Sequence, residues 1–206
     1  MRPVKTIVLK ADARSLNKKI ITQAAQAIRD GKLVAFPTET VYGIAANRLD
    51  AKAMGSLRAV KNRPDNKPFT VHISDTAMIK KMGCVVTQQA KILIDRFWPG
   101  PLTIILKADT GEKIGFRMPA NIVALELIAA AGVPVVAPSA NASGALAPTR
   151  PEEVLKELDG LIDILIDAGP ADVGIESTVV DLTTAPPKIL RQGAIKKEEL
   201  NKVLDL

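Results

Sequence analysis

Two residue types that build metal centres and cross-links are almost missing from this sequence. It contains one cysteine, Cys84, and one histidine, His72. A single cysteine excludes a disulfide framework within the chain and a cysteine-rich zinc site. A single histidine excludes a histidine-rich metal centre. We therefore predict no metal site built by the protein itself, and we expect Cys84 to be a small buried hydrophobic residue.

Aromatic residues and long apolar runs are also scarce. Aromatic side chains make up 3% of the chain, so the core must be packed from isoleucine, valine, leucine and alanine. No apolar run approaches the length of a membrane span. The amino terminus lacks the apolar stretch of a signal peptide. The sequence therefore predicts a cytoplasmic protein without a membrane partner.

Positive charge, in contrast, is in surplus. The 206 residues carry a formal net charge of +6, and the pI is about 9.5. This surplus favours polyanionic partners, either nucleotide phosphates or RNA. At 47% hydrophobic residues, a chain of this length can bury one substantial core.

Helical and strand patterns alternate along the chain without internal repeats. We predict helices from an N-cap at Ser15 to Gly31 and from Asp50 to about Val60. Further helices are predicted at residues 87–98, 121–132, 196–204 and after Pro151. Strands are predicted at residues 6–10, 33–36, 69–73, 102–107, 113–118, 134–137, 162–166, 177–182 and 188–191. This order predicts a single α/β domain over residues 1–206 with a mixed sheet.

The segment of residues 36–43, FPTETVYG, follows the apolar strand at 33–36 directly. Pro37 ends the strand because it lacks a backbone N–H donor. Two hydroxyls, a carboxylate and a phenol then follow within five residues. Since open α/β sheets bind ligands at strand ends, the segment predicts a site. The alternative is an ordinary polar turn that caps a following helix.

A second candidate is the basic segment KNRPDNK at residues 61–67. Its prolines restrict the backbone, and Arg63 offers a planar fork for phosphate, while Lys61 and Lys67 add point charges. We predict phosphate binding here, with a solvated basic turn as the alternative. The segment leads into the strand of His72, which is either a structural histidine of the sheet or a ligand contact.

Three later clusters of polar residues lie on or beside predicted strands. Arg117 lies in an apolar strand and needs an anionic partner, which is either a protein carboxylate or a substrate carboxylate or phosphate. The segment APSANASG at 137–144 repeats the order strand, proline, small polar residues. Ser177 and Arg191 lie on late strands. The sequence has no Walker loop, no G-x-G-x-x-G and no G-x-S-x-G, so it does not predict those nucleotide or hydrolase sites.

Together these segments resemble the YrdC/TsaC family of threonylcarbamoyl-AMP synthases. The matching motifs are FPTETVYGIAAN (36–47), KNRPDNKPFTVHI (61–73), FWPGPLT (97–103), FRMPAN (116–121), APSANASG (137–144), ESTVVD (176–181) and RQGA (191–194). The resemblance implies a YrdC-like twisted mixed sheet flanked by helices, with a concave basic site. It also implies the formation of threonylcarbamoyl-AMP and pyrophosphate from L-threonine, bicarbonate or CO2, and ATP.

The resemblance further implies roles for individual residues. The implied threonine contacts are Thr40, His72, Arg117 and Ser177, and the implied ATP contacts are Arg63, Lys67, Ser139, Asn141 and Arg191. Lys61 and Arg63 are the implied catalytic cations. Thr38, Glu39 and Tyr42 are expected to be the scaffold that aims Thr40. His72 is expected either to act as a base or to orient threonine.

The implied partners are Mg2+ bound to ATP, tRNA, and the proteins that transfer the threonylcarbamoyl group to tRNA. Catalysis is expected to rest on positioning and charge neutralisation, without a covalent enzyme intermediate. Two alternatives stay open at this point. One is a non-catalytic RNA-binding module, although aromatic stacking platforms are nearly absent. The other is a nucleotide-binding paralogue with altered activity.

Overall fold

Ten strands of the described chain form one mixed sheet flanked by seven helices. The computed structural model describes residues 5–12, 14–64 and 67–204. The strands are β1 (Ile7–Lys10), β2 (Val34–Phe36), β3 (Gly43–Asn47), β4 (Val71–His72), β5 (Leu102–Lys107), β6 (Lys113–Arg117), β7 (Val135–Val136), β8 (Ile164–Asp167), β9 (Thr178–Asp181) and β10 (Lys188–Arg191). The helices are α1 (Lys18–Arg29), α2 (Ala51–Lys61), α3 (Ala77–Lys81), α4 (Gln88–Phe97), α5 (Ile122–Ala131), α6 (Pro151–Leu158) and α7 (Lys197–Leu204).

The sheet runs in the order β1-β8-β2-β3-β7-β4-β6-β5-β9-β10. Parallel pairs (β1 with β8, β8 with β2, β4 with β6, β5 with β9) are mixed with antiparallel ones. In the centre of the sheet, β4 lies between β7 and β6, so that His72 is in register with Val135 and Arg117. This register brings together two residues that are far apart in the sequence. The mixed sheet expected from the sequence is confirmed.

The two faces of the sheet support separate apolar clusters. Along β2 and β3, Ala35 and Ile44 belong to one cluster, whereas Val34, Phe36 and Ala45 belong to the other. This alternation follows from the period of two along a strand. Helices α1 and α5 pack against each other on the second cluster. Both faces are therefore covered, and polar residues that stay buried in the sheet need a specific partner.

Side-chain caps mark the starts of several helices. Asp50 caps α2 as predicted, since its Oδ1 accepts from the backbone N–H groups of Lys52 and Ala53 at 2.8 and 3.0 Å. The predicted cap at Ser15 is wrong: Asn17 caps α1, and its Oδ1 accepts from Lys19 N at 3.0 Å. Serine and asparagine are both good capping residues, so the sequence pattern did not distinguish two positions so close together.

Two elements were not predicted. Strand β3 pairs antiparallel with β2 and with β7 and is fully buried. Its sequence, GIAAN, has Ile44 as its one β-branched residue and lacks the alternation that favours a strand, so the surrounding sheet determines its conformation. Helix α3 has five residues, which is too short to show a helical period. The polar segment at 37–42 therefore connects two strands and does not cap a helix.

Within the described ranges, no helix has both the length and the apolar character that crossing a bilayer requires.

Candidate active site

The predicted site segments at 36–43 and 137–144 lie side by side. The backbone N–H of Ile44 donates to Pro138 O at 2.8 Å, and that of Ala140 donates to Tyr42 O at 2.8 Å. A Cβ atom at Gly43 would lie 3.4 Å from Pro138 O, which is van der Waals contact, so the two segments pack directly against each other. Both segments end at one pocket, which lies beside the central strands of the sheet.

Seven of the ten predicted site residues line this pocket: Lys61, Arg63, His72, Arg117, Ser139, Ser177 and Arg191. The structure thus brings four cations and two hydroxyls from five separate segments to one place. Thr40 and Asn141 are buried and hydrogen-bonded to lining residues. Lys67 is exposed and does not line the pocket, and its neighbours Asp65 and Asn66 lie outside the described residues.

The amine of Lys61 is enclosed by oxygen atoms. Its Nζ donates to Ser139 O at 2.7 Å, to Asn141 O at 2.5 Å and to Asn141 Oδ1 at 2.9 Å. Asn141 Oδ1 also accepts from Ser139 Oγ at 2.6 Å. We call Lys61, Ser139 and Asn141 the Lys61 cluster. Burial, followed by the charge of Arg63, lowers the pKa of Lys61 to about 8.

Arg63 is fixed by backbone carbonyls and by an aromatic ring. Its Nη2 donates to Pro68 O at 2.8 Å, and its guanidinium lies 4.9 Å from the centre of the Phe69 ring. Burial and the charges of Arg58 and Arg191 lower the pKa of Arg63. The side chain is therefore held in one orientation among other cations, where an anion is the complementary ligand.

Arg117 is paired with a carboxylate of the protein. Its Nη2 lies 2.9 Å from Glu39 Oε1 and donates to Thr40 Oγ1 at 2.7 Å. Arg117 and Glu39 are both buried, with 5% of each residue exposed. We call Arg117, Glu39 and Thr40 the Arg117 cluster. Of the partners that the sequence left open for Arg117, the structure provides the protein carboxylate.

Glu39 therefore does more than shape the turn around Thr40, which was its expected role. Neither of its carboxylate oxygens accepts a hydrogen bond of good geometry within the described residues. Its ion pair with Arg117 is the interaction that compensates its buried charge. Burial lowers the pKa of Arg117, and the charge of Glu39 acts in the opposite direction.

His72 is buried beside Arg117, and its ring meets Phe36 edge-on with the ring centres 6.4 Å apart. Its Nδ1 has no hydrogen-bond partner among the described residues. Burial, followed by the charge of Arg117, lowers the pKa of His72 to about 3. The imidazole is therefore neutral at physiological pH. A general base works best with a pKa near the operating pH, so this histidine is better suited to orient a ligand.

Ser177, the residue directly before β9, is hydrogen-bonded to Arg191 at the end of β10. Arg191 Nε and Nη2 both donate to Ser177 O, at 3.1 and 2.9 Å, and Nη2 also donates to Ser177 Oγ at 3.2 Å. Arg191 Nη1 pairs with Glu176 Oε1 at 2.8 Å. The hydroxyl of Ser177 lies 2.9 Å from Thr103 Oγ1.

The sequence analysis did not predict the roles of three of these residues. Thr103 and Glu176 were not assigned to the site, and Glu39 was not expected to pair with Arg117. A signal existed for each. Glu39 and Glu176 lie inside matching motifs, and Thr103 is a hydroxyl within the apolar strand LTIIL. What the sequence does not contain is the pairing, because Arg117 and Glu39 meet only in the folded sheet.

The pocket combines two kinds of chemistry. Arg63 and Arg191 offer N–H donors and positive charge to phosphate or carboxylate oxygens. Lys61 offers positive charge, since its three N–H groups already donate to Ser139 and Asn141. Arg117 offers a guanidinium at a buried position, beside a neutral imidazole. Glu176 is the carboxylate among the described lining side chains. Such an arrangement suits an anionic nucleotide together with a small ligand that carries a carboxylate.

Comparisons with known proteins agree with this geometry. The family model Sua5_yciO_yrdC, described as "Telomere recombination", matches residues 26–193. A threonylcarbamoyl-AMP synthase of Pyrococcus abyssi is 43% identical over 190 residues, which cover 88% of this chain and 56% of the relative. A threonylcarbamoyl-AMP synthase of Bacillus subtilis is 41% identical over 94% of this chain and 59% of the relative. The chain thus spans just over half the length of these relatives.

A solved structure extends the likeness to three dimensions. The Sua5 protein of P. abyssi, crystallised in complex with L-threonine, superposes with a TM-score of 0.91 at 40% sequence identity. The match covers 96% of this chain and 61% of the Sua5 chain. The family model covers far more than half of the residues, and it includes every residue of the pocket. On this evidence, the chain belongs to the Sua5/YciO/YrdC family.

Proposed function

We propose that this protein is an L-threonylcarbamoyladenylate synthase, a nucleotidyltransferase that uses L-threonine, bicarbonate or CO2, and ATP. The observation that carries the proposal is the convergence of Lys61, Arg63, Arg117 and Arg191 on one pocket with Ser139 and Ser177. The names of the relatives support it, and so does the L-threonine bound to the structural neighbour.

In this proposal the Arg117 side of the pocket binds threonine. Arg117 pairs with the threonine carboxylate while Glu39 and Thr40 hold the guanidinium from behind. The neutral ring of His72 orients the substrate, and Ser177 adds a hydroxyl contact. Thr40 then acts through Arg117, because its own hydroxyl is already bonded to that residue.

The Lys61 side binds ATP. Arg63, Ser139 and Arg191 contact the nucleotide, Asn141 acts by holding the amine of Lys61, and Lys67 contributes from outside the pocket. Magnesium enters as part of the MgATP substrate. With cations and hydroxyls dominating the lining, the phosphate oxygens would supply most of its ligands.

The chemistry needs positioning and charge neutralisation more than a protein nucleophile. The threonine amine attacks CO2 and loses a proton, which gives a carbamate. A carbamate oxygen then attacks the α-phosphorus of ATP, and the bond to pyrophosphate breaks. Lys61 and Arg63 neutralise the charge that develops on the phosphates, so both are the proposed catalytic residues.

The product is a mixed anhydride, and a second reaction must consume it. We propose that partner proteins transfer the threonylcarbamoyl group to the adenosine beside the anticodon of tRNA, in the cytoplasm. The positive net charge of the chain favours contact with such a polyanion.

A direct assay tests the proposal. Purified protein is incubated with MgATP, labelled bicarbonate and one amino acid at a time, and the pyrophosphate and the labelled adenylate are measured. We expect both products with L-threonine and neither with valine or alanine. If another amino acid supports turnover, the protein is a paralogue with altered activity. If RNA binds tightly and no turnover occurs, the RNA-binding alternative holds.

A further inference from the structure

Arg191 lies at the end of the edge strand β10, where the strand is irregular. Ile189 is in register with Val180 of β9, and Arg191 is in register with the next residue of β9, Val179. Leu190 is thus an extra residue between them, which makes a β-bulge. In a regular strand Arg191 would point to the same face of the sheet as Ile189. The bulge therefore changes the face on which Arg191 lies.

The face that Arg191 gains is the one that carries the pocket. On β9, Val180 belongs to the first apolar cluster, whereas Ser177 lines the pocket. Val179 alternates with Val180 and shares the face of Ser177. Because opposite residues on paired strands point to the same face, the register with Val179 puts Arg191 on the pocket side.

The turn that follows the bulge is anchored to β9 by Thr178. Thr178 Oγ1 accepts from the backbone N–H groups of Gly193 and Ile195 at 2.9 and 3.0 Å, and it donates to Ile195 O at 2.7 Å. A carbonyl oxygen can only accept, so the direction of this last bond is fixed. Thr178 is completely buried, and the one donor and two acceptor positions of its hydroxyl are all used by this turn.

Gly193 lets the turn lie directly on the backbone that precedes β9. A Cβ atom at Gly193 would overlap Glu176 O, and the backbone N–H of Ala194 donates to this oxygen at 3.0 Å. The next carbonyl, Ser177 O, accepts from Nε and Nη2 of Arg191. The turn and the guanidinium are therefore held on the same short piece of backbone.

We infer that Thr178 is a positioning residue that keeps Arg191 on the pocket side of the sheet. Thr178 does not line the pocket, and it acts through the backbone from Gly193 to Ile195. Without its hydroxyl, two N–H groups lose their acceptor, and the turn that holds the bulge is released from β9. Resting on the proposed function, the ligand that then loses a contact is ATP.

Kinetics of matched variants test the inference. Thr178→Val keeps the shape of the side chain and removes the hydroxyl, so we expect KM for ATP to rise about 3- to 10-fold, with KM for L-threonine changed less than about twofold. Thr178→Ser keeps a hydroxyl and should restore most of the affinity for ATP. In an Arg191→Met background, Thr178→Val should have no further effect on KM for ATP, because it acts through Arg191.

Thr6 offers a matched control, because its buried hydroxyl makes the same kinds of bond away from the pocket. It accepts from Gly160 N at 2.9 Å and donates to Ile162 O at 2.9 Å. Thr6→Val should lower the free energy of unfolding and leave both KM values unchanged. The inference is overturned if Thr178→Val leaves KM for ATP unchanged, raises both KM values equally, or acts fully in the Arg191→Met background.

Gly193→Ala tests the same turn if Thr178→Val fails to fold. Gly193 is partly exposed, so an added methyl group displaces the turn outward and leaves the apolar core unchanged. We expect the same selective rise in KM for ATP. An unchanged KM for ATP in a folded Gly193→Ala variant would contradict the inference.

NMR of the protein without substrates separates the inference from the proposed function. The Nε–H group of Arg191 donates to Ser177 O, and its signal is identified by its loss in Arg191→Met. In Thr178→Val and in Gly193→Ala we expect this proton to exchange with solvent about tenfold faster than in the wild type, and in Thr6→Val at the wild-type rate. An unchanged exchange rate in both turn variants would refute the inference, whether or not the protein makes an adenylate. Faster exchange in a protein that makes no adenylate would support the inference and contradict the proposed function.

Discussion

The Lys61 cluster and the Arg117 cluster hold a buried cation in different ways. Lys61 is surrounded by neutral oxygens, namely two backbone carbonyls and the amide oxygen of Asn141. Arg117 is paired with the carboxylate of Glu39 and with the hydroxyl of Thr40. Both cations line the same pocket, so the difference lies in the partners that the protein supplies.

This difference has a chemical consequence. Neutral acceptors leave the full positive charge of Lys61 available to a ligand. Because no carboxylate compensates its burial, the pKa of Lys61 is lowered. The pair of Arg117 with Glu39 has no net charge. It therefore recognises a carboxylate by shape and hydrogen bonding more than by electrostatic attraction. The first arrangement suits highly charged phosphates, and the second suits a zwitterionic amino acid.

Breaking the Arg117 cluster should have the largest effect. Arg117→Met leaves the Glu39 carboxylate buried without a counter-charge, which should lower the free energy of unfolding by about 3–5 kcal/mol. KM for threonine should rise about 100-fold, with a much smaller change in KM for ATP. Urea denaturation and initial-rate kinetics measure the two effects.

The double variant Arg117→Met with Glu39→Gln separates binding from folding. It removes both charges, so most of the lost free energy of unfolding should be recovered. KM for threonine should stay as high as in Arg117→Met. A double variant with the wild-type KM for threonine, or equal rises in both KM values for Arg117→Met, would contradict the assignment of Arg117 to the carboxylate.

Removing the charge of Lys61 should have the next largest effect. Lys61→Met should lower kcat by about 10²-fold, because electrostatic stabilisation of the phosphates is lost. Lys91→Met is the control, since Lys91 is exposed and pairs with Asp95 on the surface of α4. A kcat within threefold of the wild type would show that Lys61 has only a structural role.

The pH dependence of Lys61 gives a second measurement on the same variant. Its pKa falls from 10.5 in the unfolded chain to about 8 in the folded protein, so between these pH values the unfolded state binds more protons. The contribution of Lys61 to stability should therefore rise with pH from about 8 to 10.5, while activity falls. The difference in unfolding free energy between wild type and Lys61→Met, measured across this range, checks the sign.

A small effect is expected at the partly exposed pair of Arg191 and Glu176. Their side chains are 43% and 40% exposed, and such pairs contribute about 0–1 kcal/mol. Glu176→Gln should leave stability nearly unchanged and lower KM for ATP a few-fold, because a carboxylate leaves the pocket wall. Glu112→Gln, at the exposed pair with Arg48, is the control. A tenfold rise in KM for ATP would instead make Glu176 necessary for ATP binding.

No titration is expected for His72 between pH 5 and 8, because its pKa lies at about 3. The chain has one histidine, so one imidazole signal in the proton NMR spectrum reports on it directly. In urea the same signal should titrate near pH 6.5. The contribution of His72 to stability should therefore fall as the pH drops from 6.5 toward 3. A folded-state midpoint near 6.5 would restore the role of general base.

Much of the site could be predicted because its residue types stand out against their surroundings. Arg117 in an apolar strand demands an anionic partner, and small polar residues after a buried strand indicate a strand-end site. The partners themselves could not be predicted. Glu39 and Arg117 are far apart in the sequence, and neither segment indicates that the two residues are in contact.

The secondary structure also divides into elements that local sequence predicts and elements that depend on tertiary contacts. Helices with a full apolar stripe and a cap, such as α2 after Asp50, follow from local sequence. Strand β3 does not, because glycine and alanine have little strand propensity and its pairing with β2 and β7 supplies the hydrogen bonds.

By itself, the sequence determined the class of the fold, the basic character of the protein and the residues able to bind anions, because these depend on composition and on local pattern. Only the tertiary structure decided which of them meet. It placed Lys61 among neutral oxygens and Arg117 against Glu39, it left Lys67 outside the pocket, and it paired Thr103 with Ser177. The physical reason is that hydrogen bonds and ion pairs act over a few ångströms, a range that sheet register sets and sequence spacing does not.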